Sequence, residues 1–417
     1  MPYSRRDFLK SMVGVSSLLS LTPALPPFLC RAAAAGELTA AGDETVLIVL
    51  QMSGGNDGLN TVVPYADDAY ARHRDTLRLT AAQVIPIDSY LGFHPELTGF
   101  QQLLQEGTLA VVHGVGYPKN NRDHDQAMRE WHTARPGDLL YPTGWVGRAV
   151  DLIEQPDPAR FPAVFVGPIA PPFALNAEAS VIPALRSPQQ LVRTAQSGRP
   201  AVAADGVPAG QAASGTADQP LLGAVSSAAQ AAEVVSQRVE AVLADEAATA
   251  SYPAFTLAQQ LRMIAQLIRA ELGIRIYFLE FGGGGIGGFD NHANQRDNHA
   301  ALLREMSASL TAFVGDLRRD NLLSRVLLMT FAEFGRTVTE NGRRGTDHGA
   351  AAPVFLVGGR VRGGFHGAHP SLTDLDQDGL KFQTDYRSLY ATVLQRWLGF
   401  DAERILGGMY ELVDVVG

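Results

Sequence analysis

The stretch that decides the fold is Thr45-Val46-Leu47-Ile48-Val49-Leu50-Gln51, which is followed after Met52 by Ser53-Gly54-Gly55-Asn56-Asp57-Gly58. A continuous apolar run that ends in a turn predicts a strand buried on both faces, as in parallel sheets. The polar turn then lies at the carboxyl end of that strand, the edge where open α/β sheets bind ligands. We therefore interpret Thr45–Gln51 as the first strand of the sheet and the turn as part of a possible site.

The same order of apolar run and polar cluster recurs later in the chain. The runs Ile274–Leu279 and Val326–Met329 precede the clusters Phe289-Asp290-Asn291-His292 and Glu333-Phe334-Gly335-Arg336. A further cluster, Thr346-Asp347-His348-Gly349, precedes an apolar run at Pro353–Val357, which we predict to be the last core strand. Acids and histidines at strand ends can converge from distant parts of a sequence, which is how an α/β fold builds a metal site.

Helical and strand-like patterns alternate along the chain. We expect further strands at Leu109–Val115, Ala163–Val166, Gly273–Leu279 and Arg325–Thr330, and helices at Pro95–Gln105, Arg122–Thr133, Phe255–Glu271, His299–Asp320 and Arg387–Leu398. This alternation predicts an α/β fold with a mainly parallel central sheet flanked by helices on both faces. One domain over residues 45–417 is the simplest division. Residues near 196–220, rich in Ala, Gly, Ser and Pro, are predicted to be a low-complexity insertion, and Leu221–Ala250 has helical spacing.

The first 35 residues have the features of an export signal. Ser4-Arg5-Arg6-Asp7-Phe8-Leu9-Lys10 is a twin-arginine signature, and the apolar run Met12–Leu29 follows it. Arg31-Ala32-Ala33-Ala34-Ala35 is a plausible cleavage site. We predict a signal peptide over residues 1–35, a linker over 36–44, and a periplasmic or secreted protein that meets the twin-arginine translocase during export. A retained signal anchor and lipidation at Cys30 are the alternatives.

Charge and cysteine content exclude several functions. The chain has a net charge of −9, and the first 35 residues carry four cations against one acid, so the remainder carries −12. An acidic chain of this kind has no electrostatic footprint for nucleic acid and does not favour anionic membrane surfaces. The single cysteine is Cys30, within the predicted signal. The exported chain therefore has no disulfide, no thiolate metal ligand and no cysteine nucleophile.

Each polar cluster has an ordinary structural explanation beside the functional one. Asp57 could bind a cation or simply cap its turn. Asp290 and His292 are two residues apart, so in extended backbone they share a face and suit Zn²⁺, Mn²⁺ or Fe, whereas a solvent-exposed loop is the alternative. Glu333 and Arg336 could hold a metal and an anion, or form a structural ion pair.

The last cluster and a helix start add five more candidates. Asp347 and His348 are neighbours, so both can ligate a metal only if they lie in a loop rather than in a strand. Arg122, Asp123 and His124 open the helix after the strand at Leu109. Backbone N–H groups at a helix start favour an anion, to which Arg122 would add. Asp123 is equally suited to capping that helix.

Together these motifs resemble the twin-arginine-exported family known as domain of unknown function 1501. The residues that carry the resemblance are Leu47–Gly58, Asn121–Ala134, Gly288–Gln295, Glu333–Thr337 and Gly345–Gly349. That family is similar to the alkaline phosphatase and sulfatase superfamily. The resemblance implies an alkaline phosphatase-like sheet with one or two divalent metals at the carboxyl ends of its strands, and it covers nearly the whole chain after the signal.

The resemblance also implies a role for each candidate. Asp57, Asp290, His292, Glu333 and His348, with Asp347 beside it, take the positions of metal ligands. Asp123 occupies the place of the superfamily's Ser, Thr or modified Cys nucleophile, where it could act as nucleophile, base or metal ligand. Phe334 stands where many superfamily enzymes have a ligand histidine. The expected cofactor is therefore a divalent metal, Zn²⁺, Mn²⁺, Ca²⁺ or Mg²⁺. One metal, or a more oxygen-rich site suited to Mn²⁺, Ca²⁺ or Mg²⁺, fits better than a full two-zinc site.

Two hypotheses for function follow. The first is an exported metal-dependent hydrolase that acts on phosphate or sulfate esters of a small molecule or polymer, with Arg122 and Arg336 holding the anion and His124 as a possible acid. The second is a non-catalytic exported binding or assembly module that keeps the fold. Aspartate in place of the usual serine favours the second, whereas the retained Asp and His residues favour the first.

Overall fold

A computed structural model describes residues 44–153, 162–185, 251–282 and 288–417. The predicted signal, most of the linker, the insertion near 196–220 and the Leu221–Ala250 segment lie outside these ranges. The strands in chain order are β1 (Val46–Met52), β2 (Val62–Val63), β3 (Ile85–Pro86), β4 (Gly92–Phe93), β5 (Leu109–Gly116), β6 (Ala163–Val166), β7 (Ala184–Leu185), β8 (Ile276–Phe281), β9 (Val326–Phe331), β10 (Ala352–Gly358), β11 (Gly364–His366), β12 (Leu375–Asp376), β13 (Gly379–Leu380) and β14 (Thr384–Asp385).

The α-helices in the described ranges are α1 (Asp68–His73), α2 (Thr98–Gln105), α3 (His124–Thr133), α4 (Trp145–Leu152), α5 (Thr256–Arg269), α6 (Gln295–Arg319), α7 (Tyr386–Thr392) and α8 (Ala402–Leu406). Short 3-10 helices cover Gly58–Asn60, Phe173–Leu175 and Leu323–Arg325, and a π-helical turn, Val393–Trp397, continues α7.

The central sheet has the strand order β11-β5-β10-β9-β1-β8-β6-β7, with β14 pairing along β5. Strand β1 is parallel to both of its neighbours, β8 and β9. Strand β10 is antiparallel to both β9 and β5, so β5 and β9 run in the same direction. The carboxyl ends of β1, β5, β8 and β9 therefore share one edge of the sheet, and β10 begins at that edge. This edge carries all the polar clusters singled out in the sequence.

Helices cover both faces of the sheet. Side chains of β1 alternate between the faces, and all seven of its residues are buried. Ile48 and Leu50 pack in a core with α2, α5 and α6. Leu47 and Val49 pack in a second core with α3, α4 and α7. Full burial of an aliphatic side chain contributes about 1.5–3 kcal/mol, so burial on both faces explains the absence of polar residues between Val46 and Leu50.

The predicted fold class, a mainly parallel sheet flanked by helices on both faces, is confirmed. The six predicted strands are present within a few residues. The helix predicted at His299–Asp320 begins earlier, at Gln295, and the helix predicted at Arg387–Leu398 is α-helical only to Thr392. The two- and three-residue strands were not predicted, because so short a segment has no readable period. Within the described ranges, no helix combines the length and apolar character needed to cross a membrane.

Candidate metal centre

Four side chains converge at the shared edge of the sheet: His124, Asp290, His292 and His348. His124 is the first residue of α3, which follows β5. Asp290 and His292 follow β8, and His348 precedes β10. Because β10 is antiparallel to its neighbours, the residues before it reach the edge at which the other strands end. The reversed strand thus brings His348 to residues that lie at least 56 positions away in the chain.

The ligand-type atoms of these residues are close together. Asp290 Oδ1 lies 2.9 Å from His292 Nε2, 3.3 Å from His348 Nε2 and 3.4 Å from His124 Nε2. One ligand atom each from His124, Asp290 and His348 lie within 4.8 Å of one another. Ligands bonded tetrahedrally to zinc at about 2.0 Å stand roughly 3.3 Å apart. The three distances from Asp290 are of that size, and His292 joins the group through its 2.9 Å contacts with Asp290 and His348.

The second ring nitrogen of each histidine is held by an acceptor. His124 Nδ1 is 2.8 Å from Glu333 Oε1, His292 Nδ1 is 2.8 Å from Asp347 Oδ1, and His348 Nδ1 is 2.6 Å from the carbonyl oxygen of Arg122. A carbonyl or carboxylate oxygen accepts, so each Nδ1 carries a proton, and in the neutral form of each ring Nε2 then presents a lone pair. Metal-binding histidines have the same arrangement, in which an outer partner fixes the tautomer.

These tautomers make the cluster fit a cation. His292 Nε2 and His348 Nε2 are 2.9 Å apart, although in the neutral rings both are acceptors. The buried His124 Nε2 has no hydrogen-bond partner in the described part of the chain, and its 3.4 Å approach to Asp290 does not have hydrogen-bond geometry. Lone pairs directed at one another repel, and a divalent cation between them would replace that repulsion by coordination. Three imidazoles and one carboxylate suit Zn²⁺ or Mn²⁺ better than Ca²⁺ or Mg²⁺, which prefer oxygen ligands.

Hydrogen bonds, nearby charges and burial shift the pKa values of residues in the cluster. Burial alone would raise the pKa of Asp290, but the hydrogen bond and charge of Arg336, with His292 and His124, lower it to about 2. Asp290 is therefore an anion at neutral pH. The hydrogen bond to Glu333 raises the pKa of His124, whereas burial lowers the pKa of His348.

Glu333 lies beside the cluster as the partner of a ligand. Its Oε1 accepts from Gly54 N at 2.8 Å and holds His124 Nδ1. Its Oε2 is buried and has no hydrogen-bond partner among the described residues. Asp347 has the corresponding position behind His292 and also accepts from Asn341 Nδ2 at 3.1 Å. The two carboxylates expected from the resemblance to be ligands thus contact the histidines from outside the cluster.

Asp57 is placed apart from the cluster, in a buried ion pair with Arg74. Arg74 Nη1 and Nη2 donate to its two carboxylate oxygens at 2.6 and 3.0 Å, and Gln295 Nε2 also donates to it. The side chains of Asp57 and Arg74 are 3% and 0% exposed. Burial would raise the pKa of Asp57, but the Arg74 charge outweighs it and the pKa is lowered. Both carboxylate oxygens of Asp57 thus accept hydrogen bonds from Arg74, away from the cluster.

The remaining predicted residues are engaged with the backbone. Asp123 is exposed and caps α3 by accepting from Gln126 N at 3.1 Å. Arg122 donates to the carbonyl oxygens of Gln377, at 2.7 Å, and of Asp376. Arg336 is fully buried and binds Asp290 Oδ1 at 2.6 Å. Its other hydrogen bonds within the described ranges go to backbone carbonyl oxygens, those of Gly54, Gly55, Phe289 and Thr346.

His124 was predicted to be a possible acid and was not expected among the ligand-type atoms. No sequence signal separates the two roles, because the ring direction depends on Glu333, which is 209 residues away. Phe334 forms a wall beside the cluster, stacked on His348 with ring centroids 4.7 Å apart and 4.9 Å from His124. Gly54, with φ at +111°, lies so close to Asp290 that a Cβ there would meet Asp290 N at 2.5 Å. Glycine is needed at position 54 because its φ is positive and because the backbone of Asp290 lies too close for a side chain.

Comparison with known proteins places the chain in a family. The model of the family described as "Protein of unknown function (DUF1501)" matches residues 44–412. No curated protein matches the chain.

Three solved structures are similar to this chain over most of its length. The C-terminal periplasmic domain of EcEptC from Escherichia coli, in complex with Zn, is 11% identical with a TM-score of 0.34, covering 76% of this chain and 74% of that one. Murine ectonucleotide pyrophosphatase/phosphodiesterase 5, with AMP, is 10% identical with a TM-score of 0.41, covering 89% and 97%. The PsFucS1 sulfatase from Pseudoalteromonas sp. is 12% identical with a TM-score of 0.39, covering 94% and 76%. With TM-scores below 0.5, nothing about the chemistry of this chain follows from them.

Proposed function

The chain belongs to the DUF1501 family, a family of unknown function, and we propose that this member is an exported metal-dependent hydrolase of phosphate or sulfate esters. The observation that carries the proposal is the convergence of three imidazole Nε2 atoms and Asp290 Oδ1, with every Nδ1 already held by an acceptor. A site whose ligands are oriented before the metal binds is typical of metalloenzymes. The reaction class rests on the sequence resemblance stated above.

The chain's own residues would hold one divalent cation through His124, His292, His348 and Asp290. A cation bound there supplies Lewis acidity toward an ester oxygen and lowers the pKa of a coordinated water. Glu333 and Asp347 would keep the rings of His124 and His292 turned inward. Glu333 also raises the basicity of His124, because a carboxylate at Nδ1 increases electron density at Nε2.

The two arginines predicted to hold the ester anion have a positioning role in this proposal. Arg336 binds Asp290 and the carbonyl oxygens of two loops, so it fixes the carboxylate relative to the histidines. Arg122 presents its carbonyl oxygen to His348 Nδ1 while its guanidinium holds the chain at residues 376–377. Removal of either arginine should therefore disturb the metal centre before it disturbs substrate binding.

Asp123 favours the alternative, a non-catalytic binding or assembly module. Its Oδ1 accepts from Gln126 N as an ordinary helix cap, and no hydroxyl side chain stands at the start of α3. To attack an ester, Asp123 would have to give up that cap, which stabilises a helix by about 1 kcal/mol. In this alternative the centre binds a cation for structure or recognition and no ester is hydrolysed.

The experiment that tests the proposal combines metal analysis with turnover. The protein without residues 1–35 is purified, stripped of metal, reloaded with Zn²⁺, Mn²⁺, Ca²⁺ or Mg²⁺ and offered 4-nitrophenyl phosphate, its diester and 4-nitrophenyl sulfate. We expect one Zn²⁺ or Mn²⁺ per chain and metal-dependent release of 4-nitrophenol. His348→Ala should lose both, and His366→Ala, which removes a histidine outside the cluster, should keep both.

Two results would count against the proposal in different ways. No stoichiometric metal in the wild-type protein would contradict the metal centre itself. The binding module would be favoured if the protein holds a full complement of metal but hydrolyses none of the three esters, and if Asp123→Ser hydrolyses none of them either. Export is tested separately, by fusing residues 1–44 to a folded reporter and comparing Arg5→Lys, Arg6→Lys with the unchanged signal.

A further inference from the structure

The chain contains three lysines, Lys10, Lys119 and Lys381, among 34 basic residues. Lys10 lies in the predicted signal. The two others, which are 262 positions apart in the chain, line the same cavity of about 380 Å³. In a chain that otherwise uses arginine and carries excess negative charge, this placement of both ammonium groups points to a specific use. A cavity of this size can hold a ring with its substituents.

Chain segments next to His124 and His348 line the cavity, through Asn120 and through Ala350 and Ala351. Asn120 lines it and donates through Nδ2 to the carbonyl oxygen of Gly349, the residue after His348, at 3.2 Å. Asp376 and Gln377 also line the cavity, and their carbonyl oxygens accept from Arg122. Arg122, whose carbonyl oxygen holds His348 Nδ1, thus also holds two residues that line the cavity.

The charges around the cavity leave one cation uncompensated. Lys381 is paired with Asp374, and the carboxylate of Asp376 lies 3.9 Å from Arg122. Lys119 is exposed and has no ion pair among the residues that the structure describes. Its backbone is left-handed, with φ at +55°, a conformation that a lysine rarely adopts without support from its surroundings.

The cavity also offers an apolar surface. Phe382 lines it and is 37% exposed, which is unusual for a phenylalanine, and Leu375 is half-buried beside it. The amides of Asn120 and Gln377 add polar groups that can hydrogen-bond. A cyclic ligand with an anionic substituent requires an apolar face for its ring, amides that hydrogen-bond and an ammonium group for the anion, and this cavity has all three.

We propose that this cavity, next to the metal centre, binds the alcohol half of the ester substrate, and that this half is a ring carrying its own anionic group recognised by Lys119. This inference rests on the proposed function, since it assigns the leaving group of that reaction. Lys119 is a specificity-determining residue in this account, and Phe382 supplies the surface for the ring.

The test compares matched ligands that differ by one carboxylate. The esters are 4-nitrophenyl phosphate and sulfate and the same esters of 5-hydroxy-2-nitrobenzoate. The free alcohols, 4-nitrophenol and 5-hydroxy-2-nitrobenzoate, are titrated calorimetrically into the metal-loaded protein, so binding is measured without turnover. Lys119→Gly removes the ammonium group but accepts the left-handed backbone, and Lys119→Arg restores a cation.

We expect Lys119→Gly to weaken binding of 5-hydroxy-2-nitrobenzoate about tenfold, the usual effect of losing a charge-assisted hydrogen bond, and to change 4-nitrophenol binding less than about twofold. Lys119→Arg should recover most of the affinity. Arg344→Gly is the matched control, because Arg344 is also an exposed cation at positive φ, +58°, but lies outside the cavity. Metal content should be the same in all variants.

The outcomes separate this inference from the proposed function. If the carboxylated alcohol binds no more tightly than 4-nitrophenol, or if Lys119→Gly weakens both alcohols equally, the inference is overturned whether or not the protein hydrolyses esters. If no ester is hydrolysed but 5-hydroxy-2-nitrobenzoate binds with the expected dependence on Lys119, the cavity stands as an anionic-ring site and only the hydrolytic reaction fails.

Discussion

Replacing Asp57 by asparagine should destabilise the protein strongly and leave the metal centre intact. The change keeps the shape of the side chain but leaves the guanidinium of Arg74 without its counter-charge, and Arg74 is 0% exposed. Two direct donor contacts, at 2.6 and 3.0 Å, lose their anionic acceptor. Removing one partner of a buried ion pair typically costs about 3–5 kcal/mol, and this is the loss we expect in the free energy of unfolding.

The assay is urea unfolding followed by circular dichroism, with metal content measured on the same preparations. Asp57→Asn combined with Arg74→Met should recover part of the loss, because no lone charge then stays buried. Asp414→Asn is the control, since the Arg362–Asp414 pair is 54% and 61% exposed and such pairs contribute less than about 1 kcal/mol. A loss below about 1 kcal/mol in Asp57→Asn would refute the buried-pair assignment. Loss of metal with unchanged stability would make Asp57 a ligand.

The same pair predicts the direction of an acid effect. The pKa of Asp57 is lowered in the folded protein from its ordinary 3.8, so the pair stabilises the fold above that value. The contribution is lost as the pH falls through the lower, folded pKa. The difference in stability between the wild-type protein and Asp57→Asn should therefore shrink below about pH 4.

Three further predictions follow from individual contacts. Glu333→Gln should weaken metal binding about 10- to 100-fold with the fold retained, because it disturbs the partner of His124 Nδ1; competitive titration against a metal indicator measures this. Gly54→Ala should displace Asp290 and reduce metal occupancy, measured by elemental analysis, since the added Cβ would meet Asp290 N at 2.5 Å. Burial lowers the pKa of His132 to about 3, so the free energy of unfolding should fall as the pH drops from about 6.5 toward that value. His132→Phe should reduce the slope of this free energy against pH by one proton, as measured from unfolding curves between pH 4 and 7.

The sheet and its helices could be predicted from the sequence because the core strands are long apolar runs. Val46–Leu50 contains no polar residue, and a strand buried on both faces leaves that pattern. The direction of β10 could not be predicted, since nothing in Ala352–Gly358 distinguishes an antiparallel strand from a parallel one. That direction is what brings His348 to the site.

The candidate site was predicted in part. Asp290, His292 and His348 were singled out from their position at strand ends, and the structure brings all three together. The placement of Asp57 depends on Arg74, a partner in another segment that no local pattern connects with it. Likewise, Glu333 could bind the metal or hold His124, and the difference is a few ångströms in the position of its carboxylate. Spacing in the sequence does not determine that position.

The central claim is that His124, His292, His348 and Asp290 together bind one divalent cation. X-ray absorption spectroscopy of the zinc-loaded protein tests it most directly, because imidazole rings give a characteristic multiple-scattering pattern. We expect one zinc per chain, with three imidazoles and one carboxylate oxygen among its ligands at about 2.0–2.1 Å, and loss of one imidazole in His124→Ala. A metal shell without imidazole scattering, or one unchanged in His124→Ala, would contradict it.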